Sequence, residues 1–328
     1  MSRRILPVPA LLDSQFGEFP RRSVPPELES TLFAPGAETY AIIDAGRIAM
    51  FDAETLAQGA PFACLLGGEA VEKLGNWAAW IFRLGKDDRL TRQLFTMAQD
   101  GRGGLWPLRS AVFLRSTENL ETLRSHLRRF TQIPDEAGKR YFLRFYCPDA
   151  LPVILGHLEN DGARRERWYR HRGKTVVESY WIPDPDAPAM IVHHHDDTPP
   201  AHPANIPFQL DAAYRHIMAE IRRIQQRRKI ADAVLLSEGN AHDLSAHDWH
   251  RIVDATIDAA WTAGVGPERA MAYIAMGALT RGRAVSAEEI SRILQLPDSP
   301  GQQTERARRF AEGAEQAPVI HDDWVLRR

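Results

Sequence analysis

Residues 110–130 read Ser-Ala-Val-Phe-Leu-Arg-Ser-Thr-Glu-Asn-Leu-Glu-Thr-Leu-Arg-Ser-His-Leu-Arg-Arg-Phe. The change of pattern inside this stretch decides the fold class. Ser110 to Leu114 is a short apolar run of the kind that forms a buried strand. Ser116 and Thr117 follow at once as capping residues, with Glu118 placed in a first helical turn, where an acid complements the helix dipole. Leu120, Leu123, Leu127 and Phe130 then recur at spacings of three, four and three, which sets all four on one helical face. A strand that passes directly into a one-sided helix predicts a sheet covered by helices.

The same alternation extends outward. Upstream, Tyr40-Ala41-Ile42-Ile43 is a short apolar strand stopped by Asp44-Ala45-Gly46. Phe62 to Leu66 ends at Gly67 and Gly68, and Ala78 to Leu84 carries Trp80, Ile81 and Phe82. Residues 87–99 read as a helix through Leu90, Leu94 and Met97, broken by glycines 101, 103 and 104. Downstream, the helix stops at Pro134, Asp135 to Gly138 form a turn, and Tyr141 to Tyr146 alternates as a strand. Two or three further strands are expected between Trp168 and His193. The chain therefore reads as α+β, with an α/β-like N-terminal lobe and a mixed sheet over 37–195. Residues 1–36, rich in proline and polar groups, read as an irregular arm. Pro199, Pro200, Pro203 and Pro207 mark 196–207 as a linker.

A smaller all-α lobe is predicted over 208–328. Leu210, Tyr214, Ile217, Ile221 and Ile224 give one strongly amphipathic helix. Ser245 with Asp248 opens a second, through Trp249, Ile252, Val253, Ile257 and Trp261. Gly264 ends it and Pro267 starts the next. Ser286 with Glu289 caps another, ahead of Ile290, Ile293 and Leu294. Residues 300–312 complete the set.

Composition excludes several classes. Of 328 residues, 44% are hydrophobic and 26% charged, which suits folded domains rather than a disordered chain. A net charge of −2 gives too weak a field for general affinity to nucleic acid or anionic membranes. Two cysteines, Cys64 and Cys147, make neither a disulfide framework nor a thiolate zinc site. The apolar run after Arg3 and Arg4 is broken by Pro7 and Pro9, unlike a signal peptide, and no run suits a membrane span. A cytoplasmic protein without membrane insertion is expected.

Chemistry is sparse. His193, His194, His195, Asp196 and Asp197 form the most ligand-rich run, but neighbours on a strand face opposite ways, so these five cannot converge on one ion. The run reads as a solvated strand end, and no metal and no cofactor is assigned. His247, Asp248 and His250 read as helix-capping polarity. Nucleophile elbows, phosphate loops and dinucleotide fingerprints are absent. Two basic groups remain, Arg124, Arg128 and Arg129 on one helix and Arg222, Arg223, Arg227, Arg228 and Lys229 on another. Each reads as a solvated face that can also dock an acidic partner.

The order of features from Tyr40 to Pro148 resembles the type VI secretion effector-adaptor family. The resemblance is carried by the strand ending in Asp44-Ala45, the segment His126-Leu127-Arg128, and Arg144-Phe145-Tyr146-Cys147-Pro148, over about residues 38–157. Where that family usually has Asp before proline, this chain has Cys147, and Asp149 follows two residues later. The resemblance implies a non-enzymatic cytoplasmic adaptor that binds a cognate secreted effector (a toxin) and helps load it onto a VgrG spike protein or PAAR-type tip. Asp44, Trp80, His126, Arg128, Arg144, Tyr146, Pro148, Arg222 and Arg223 are the partner-binding or lobe-defining candidates, with Arg144 expected to pair with a buried carboxylate such as Asp44. Two other readings compete: a metal-assisted hydrolase built on His193 to His195, and an immunity-type protein that neutralises a toxin.

Overall fold

The computed structural model describes residues 2–13, 15, 17–97, 104–184, 187–195, 207–238, 244–295 and 299–313. The chain forms two compact units, Met1–Ile221 and Arg222–Arg328.

The strands of the first unit are β1 (Ser2–Pro7), β2 (Glu38–Asp44), β3 (Phe62–Cys64), β4 (Ala79–Leu84), β5 (Ala111–Ser116), β6 (Gln132–Pro134), β7 (Arg140–Phe142), β8 (Arg170–His171), β9 (Lys174–Thr175), β10 (Ser179–Pro183) and β11 (Ala189–His194). Its helices are α1 (Pro26–Leu32), α2 (Ala53–Ala57), α3 (Glu69–Leu74), α4 (Arg89–Leu94), α5 (Leu120–Arg128), α6 (Leu151–His157) and α7 (Gly162–Tyr169). Seven strands make one sheet in the order β1-β11-β10-β5-β2-β4-β3. The α+β class read from the sequence holds, and in detail all six ladders of this sheet are antiparallel.

β2 lies at the heart of the sheet, with Ile42 opposite Val112 of β5 and Ile81 of β4. Every residue from Thr39 to Asp44 is buried, because both faces of the sheet are covered. That explains why its apolar run is continuous rather than alternating. Tyr40, Ile42, Ile81 and Leu114 face a core built with Leu123, Leu127, Phe130 and Trp168. Ala41, Ile43, Phe82 and Phe113 face the opposite core, built with Val8, Leu28, Leu32, Leu90 and Phe95.

Several sequence expectations are corrected here. Residues 1–36 are not an arm: β1 pairs with β11, and Leu28 and Leu32 of α1 are fully buried against the sheet. Helix α4 ends at Leu94, and the Met97 amide instead donates to the Leu12 carbonyl. Asn119, not Ser116 or Thr117, caps α5 by accepting from the Thr122 amide, since β5 runs on to Ser116. Of the expected 141–146 strand only Tyr141 and Phe142 are extended, as the end of β7 in a separate ribbon with β6. Leu143 and Phe145 still point inward, from a loop that crosses the core, and a period of two cannot distinguish such a loop from a ladder. Trp168 and Tyr169 are helical, on α7.

The proline-rich stretch lies outside the described residues up to position 206. The two units instead divide within helix α8 (Ala212–Glu238). Leu210, Tyr214, Ile217 and Ile221 join the core of the first unit, so the early turns of α8 belong there.

The second unit is helical throughout its described residues, as predicted, with the remaining turns of α8 followed by α9 (Ala246–Thr262), α10 (Glu268–Thr280), α11 (Ala287–Leu294) and α12 (Pro300–Glu312). Ser245 and Ser286 cap α9 and α11 as expected, accepting from the Asp248 and Glu289 amides. Helix α10 is buried from Ala270 to Leu279, which fits its lack of a polar face. A Cβ on Gly277 would lie 2.5 Å from the Phe310 ring, so glycine is what lets α12 approach α10. No described helix is long and apolar enough to cross a membrane.

If the first 36 residues are core, Leu28→Ala should lower unfolding free energy by about 2–5 kcal/mol, the range for a buried leucine truncation. Urea denaturation measures it; a change within about 0.5 kcal/mol, the surface value, would mean the segment is not packed as described.

Candidate functional site

The candidate site grows from the end of β2. Asp44 has no solvent exposure, and one of its carboxylate oxygens, Oδ2, receives Nη2 of Arg144. Nε of Arg47 lies 3.7 Å from the same oxygen. Arg47 reaches on to the turn after Arg144, donating to Cys147 Sγ at 3.1 Å and to Asp149 Oδ2 at 3.4 Å. The anticipated Arg144–Asp44 pair is thus present. Asp149 meets an arginine from the hub, while Cys147 accepts from that same arginine. Tyr146 and Pro148 are buried within the turn. Burial pushes the Tyr146 phenol up to about 12, so it stays neutral at ordinary pH.

Arg144 is not itself buried: its side chain is 54% exposed. It forms the charged rim of an apolar cavity of about 290 Å³ lined by Leu65, Leu66, Leu74, Trp77, Phe142, Leu143 and Tyr146 among others. Trp77 and Phe142 are each 62% exposed, unusual for large aromatics. Leu65, Leu66 and Thr131 also line a second, larger cavity of about 770 Å³, so the two adjoin along a shared wall. The second is basic, with Arg128, Arg129 and Arg140 against Glu121, which already pairs with Arg124 at 3.4 Å. Gly67 matters at this junction, because a Cβ there would run into the Arg128 guanidinium. Arg124 fastens the wall by donating to the Cys64 and Leu66 carbonyls at 2.8 and 3.2 Å. An apolar pocket therefore stands beside a cationic one, an arrangement able to hold an extended segment by contact and charge.

The other predicted residues divide. His126 is buried beneath α5, with Nε2 3.0 Å from the Trp168 carbonyl and Nδ1 2.7 Å from Arg129 Nη2. The carbonyl only accepts and the guanidinium only donates, so the neutral tautomer with the proton on Nε2 is fixed. Burial pulls its pKa down to about 3. It defines the lobe rather than a binding surface. Trp80 points to the opposite face of the sheet from Ile81, beside Phe51 and Phe62, with its indole donating to the Gly75 carbonyl at 2.8 Å. Arg222 and Arg223 are exposed on α8 at the start of the second unit. Trp77, Phe142, Arg47 and Arg140 were not singled out from the sequence. The available signal was that Trp77 and Phe142 lie inside the two most aromatic motifs.

The histidine run does not converge. His193 is buried with Nδ1 4.0 Å from Glu159, and burial lowers its pKa to about 4. His194 turns to the other face, beside Trp181. His195 Nε2 lies 3.1 Å from Glu166 and its ring packs on Tyr169. The run is therefore largely packed, not a solvated strand end. His247's side chain and residues 196 and 197 lie outside the description.

A family model described as "Domain of unknown function (DUF4123)" matches residues 39–165. The match covers β2 to the first turn of α7, including the Asp44 hub and all of the groove lining named above. No curated protein and no solved structure matches the chain.

Two outcomes follow from the hub and from His126. Arg144→Ala leaves the Asp44 carboxylate with only the more distant Arg47, and a cost of about 1–3 kcal/mol is expected, measured by denaturant unfolding. Arg144→Ala with unchanged stability would remove the hub's structural role. His126 is neutral when folded and protonates near 6.5 when unfolded, so its stabilisation is complete above about pH 6.5. It is lost on acidification toward 3, by up to about 1.4 kcal/mol per pH unit. Between pH 7 and 5, wild type should lose more stability than His126→Gln; parallel profiles would contradict the assignment.

Proposed function

We propose that this chain is a cytoplasmic, non-enzymatic adaptor of the type VI secretion kind, whose groove holds a segment of a cognate effector and presents it for loading onto a VgrG spike or PAAR-type tip. The observation that carries this reading is the placing of exposed Trp77 and Phe142 in a pocket that adjoins the cationic one at Arg128 and Arg140. Exposed aromatics beside a fixed arginine are the side chains most often found as interface anchors. The cationic end suits an acidic stretch of partner, which would speed encounter and make it salt-sensitive. The match over 39–165 and the resemblance carried by Asp44, His126 and Arg144-Phe145-Tyr146 support the same reading.

The hydrolase alternative rests on His193 to His195, and the turn of His194 toward Trp181, away from His193 and His195, speaks against the three acting together. The immunity alternative also binds a toxin and is an outcome of the test below.

The experiment is untagged co-expression with candidate effector toxins from the same genome and with the spike protein as a third component. Bridging of the two is expected, with Trp77→Ala combined with Phe142→Ala weakening toxin binding roughly 30-fold or more, the hot-spot range. Arg140→Glu should weaken it further at low salt than at high salt. Failure to bind either component would overturn the adaptor reading. Binding that abolishes toxicity, with secretion unaffected by loss of this chain, would favour the immunity reading.

A further inference from the structure

Helix α6 ends in His157, while α8 presents His216 and Glu220 one turn apart. His157 Nε2 lies 2.6 Å from Glu220 Oε2, and the two imidazole rings stand edge to face with centroids 5.3 Å apart. One ligand atom from each of the three residues lies within 4.8 Å of the other two. We propose that His157, His216 and Glu220 form a site for a divalent transition cation, Zn²⁺ foremost, that clips the early turns of α8 onto α6.

The donor set decides the class of ion. Two imidazoles and one carboxylate suit Zn²⁺ and its borderline neighbours and suit Mg²⁺ or Ca²⁺ poorly, since those take oxygen ligands. The spacing of four on α8 puts His216 and Glu220 on one face without backbone adjustment. Tetrahedral zinc with bonds of about 2.0–2.2 Å sets its ligand atoms about 3.3 Å apart, wider than the 2.6 Å His157–Glu220 contact and inside the 4.8 Å that spans all three ligand atoms. The imidazole–carboxylate hydrogen bond is the contact a cation replaces: it takes over the position of the shared proton. His157 and His216 are exposed and Glu220 half-buried, so water can complete the coordination shell.

The position gives the site a consequence. His157 follows Ile154 and Leu155, and His216 and Glu220 flank Ile217 and Ile221, all four of which are core residues of the first unit. A metal bridge on the outside of these turns would hold α8 where its apolar side is already packed. Binding to the folded form alone then raises stability by mass action.

The test uses the full chain made without a histidine tag and stripped with chelator. Zn²⁺ titration should give one equivalent per chain and an upward shift in melting temperature. Co²⁺ should give the visible absorption of a low-coordinate site. His216→Gln should weaken Zn²⁺ binding by about 100-fold, the upper end for disturbing a metal's surroundings, and abolish the Co²⁺ absorption. Glu220→Gln should do the same by a second route, while His250→Ala, at an exposed histidine of the second unit, should change nothing. Zinc binding that survives both His216→Gln and Glu220→Gln, or a substoichiometric titration with Co²⁺ absorbing as it does in buffer, would overturn the assignment.

Discussion

A carboxylate shut off from water must be neutralised where it stands, and the first unit is arranged around doing that for Asp44. The aspartate ends the central strand β2, so its position is fixed by ladders on both sides, through Asp44 opposite Ala79 and its amide bonded to the Ser110 carbonyl. Two arginines come to it from different parts of the chain, Arg47 three residues on and Arg144 a hundred residues on. Arg47 then joins the turn at Cys147–Asp149 to the same point. A loop with little regular structure of its own is in this way tied to a strand paired on both sides. Isolated buried ion pairs seldom add net stability. Their value here lies in fixing the path of residues 143–150, which no ladder defines.

That path sets the groove. Leu143 and Tyr146 lie on the same loop and line its apolar end, while Phe142 ends the short strand immediately before it. The wall opposite is held by Arg124, which ties the end of β3 and its following leucines to α5. Side chains that would otherwise collapse inward are held at the surface by charged groups on both sides. The same construction leaves an arginine, Arg144, with its donors divided between a buried carboxylate and the groove rim. Such a group is positioned before any ligand arrives, and that lowers the ordering cost of recognition.

Much of this was legible in the sequence, for identifiable reasons. The central strands β2, β4 and β5 are continuous apolar runs with clear stops, and helices α9 and α11 begin at serines with acids three residues on. These are local signals, and the structure reproduces them. The Arg144–Asp44 contact was anticipated with the resemblance, whose motifs hold both residues. What escaped was non-local. β1 becomes a strand only because β11 offers it an edge, and its proline-rich surroundings gave no periodicity. α6 and α7 are seven and eight residues long, too short for a helical period to stand out beside Pro152 and Gly156. Trp77 and Phe142 were legible as aromatic but not as exposed, since exposure depends on which side of a loop faces the core.

The sheet's edges bear on how a partner can be recognised. An antiparallel sheet invites an added strand at its borders unless those borders are blunted. Here one edge is β3, only three residues long. The other is β1, which carries exposed Arg3 and Arg4 and ends at Pro7, a residue with no amide to donate. Both edges are therefore poor templates for strand addition. Both faces are covered as well, one by α5, α6 and α7 and the other by α1, α2 and α4. With edges blunted and faces closed, the described part of the sheet has little backbone left to offer a ligand. The proposed recognition would then fall to side chains, for which exposed Trp77 and Phe142 stand beside Arg144.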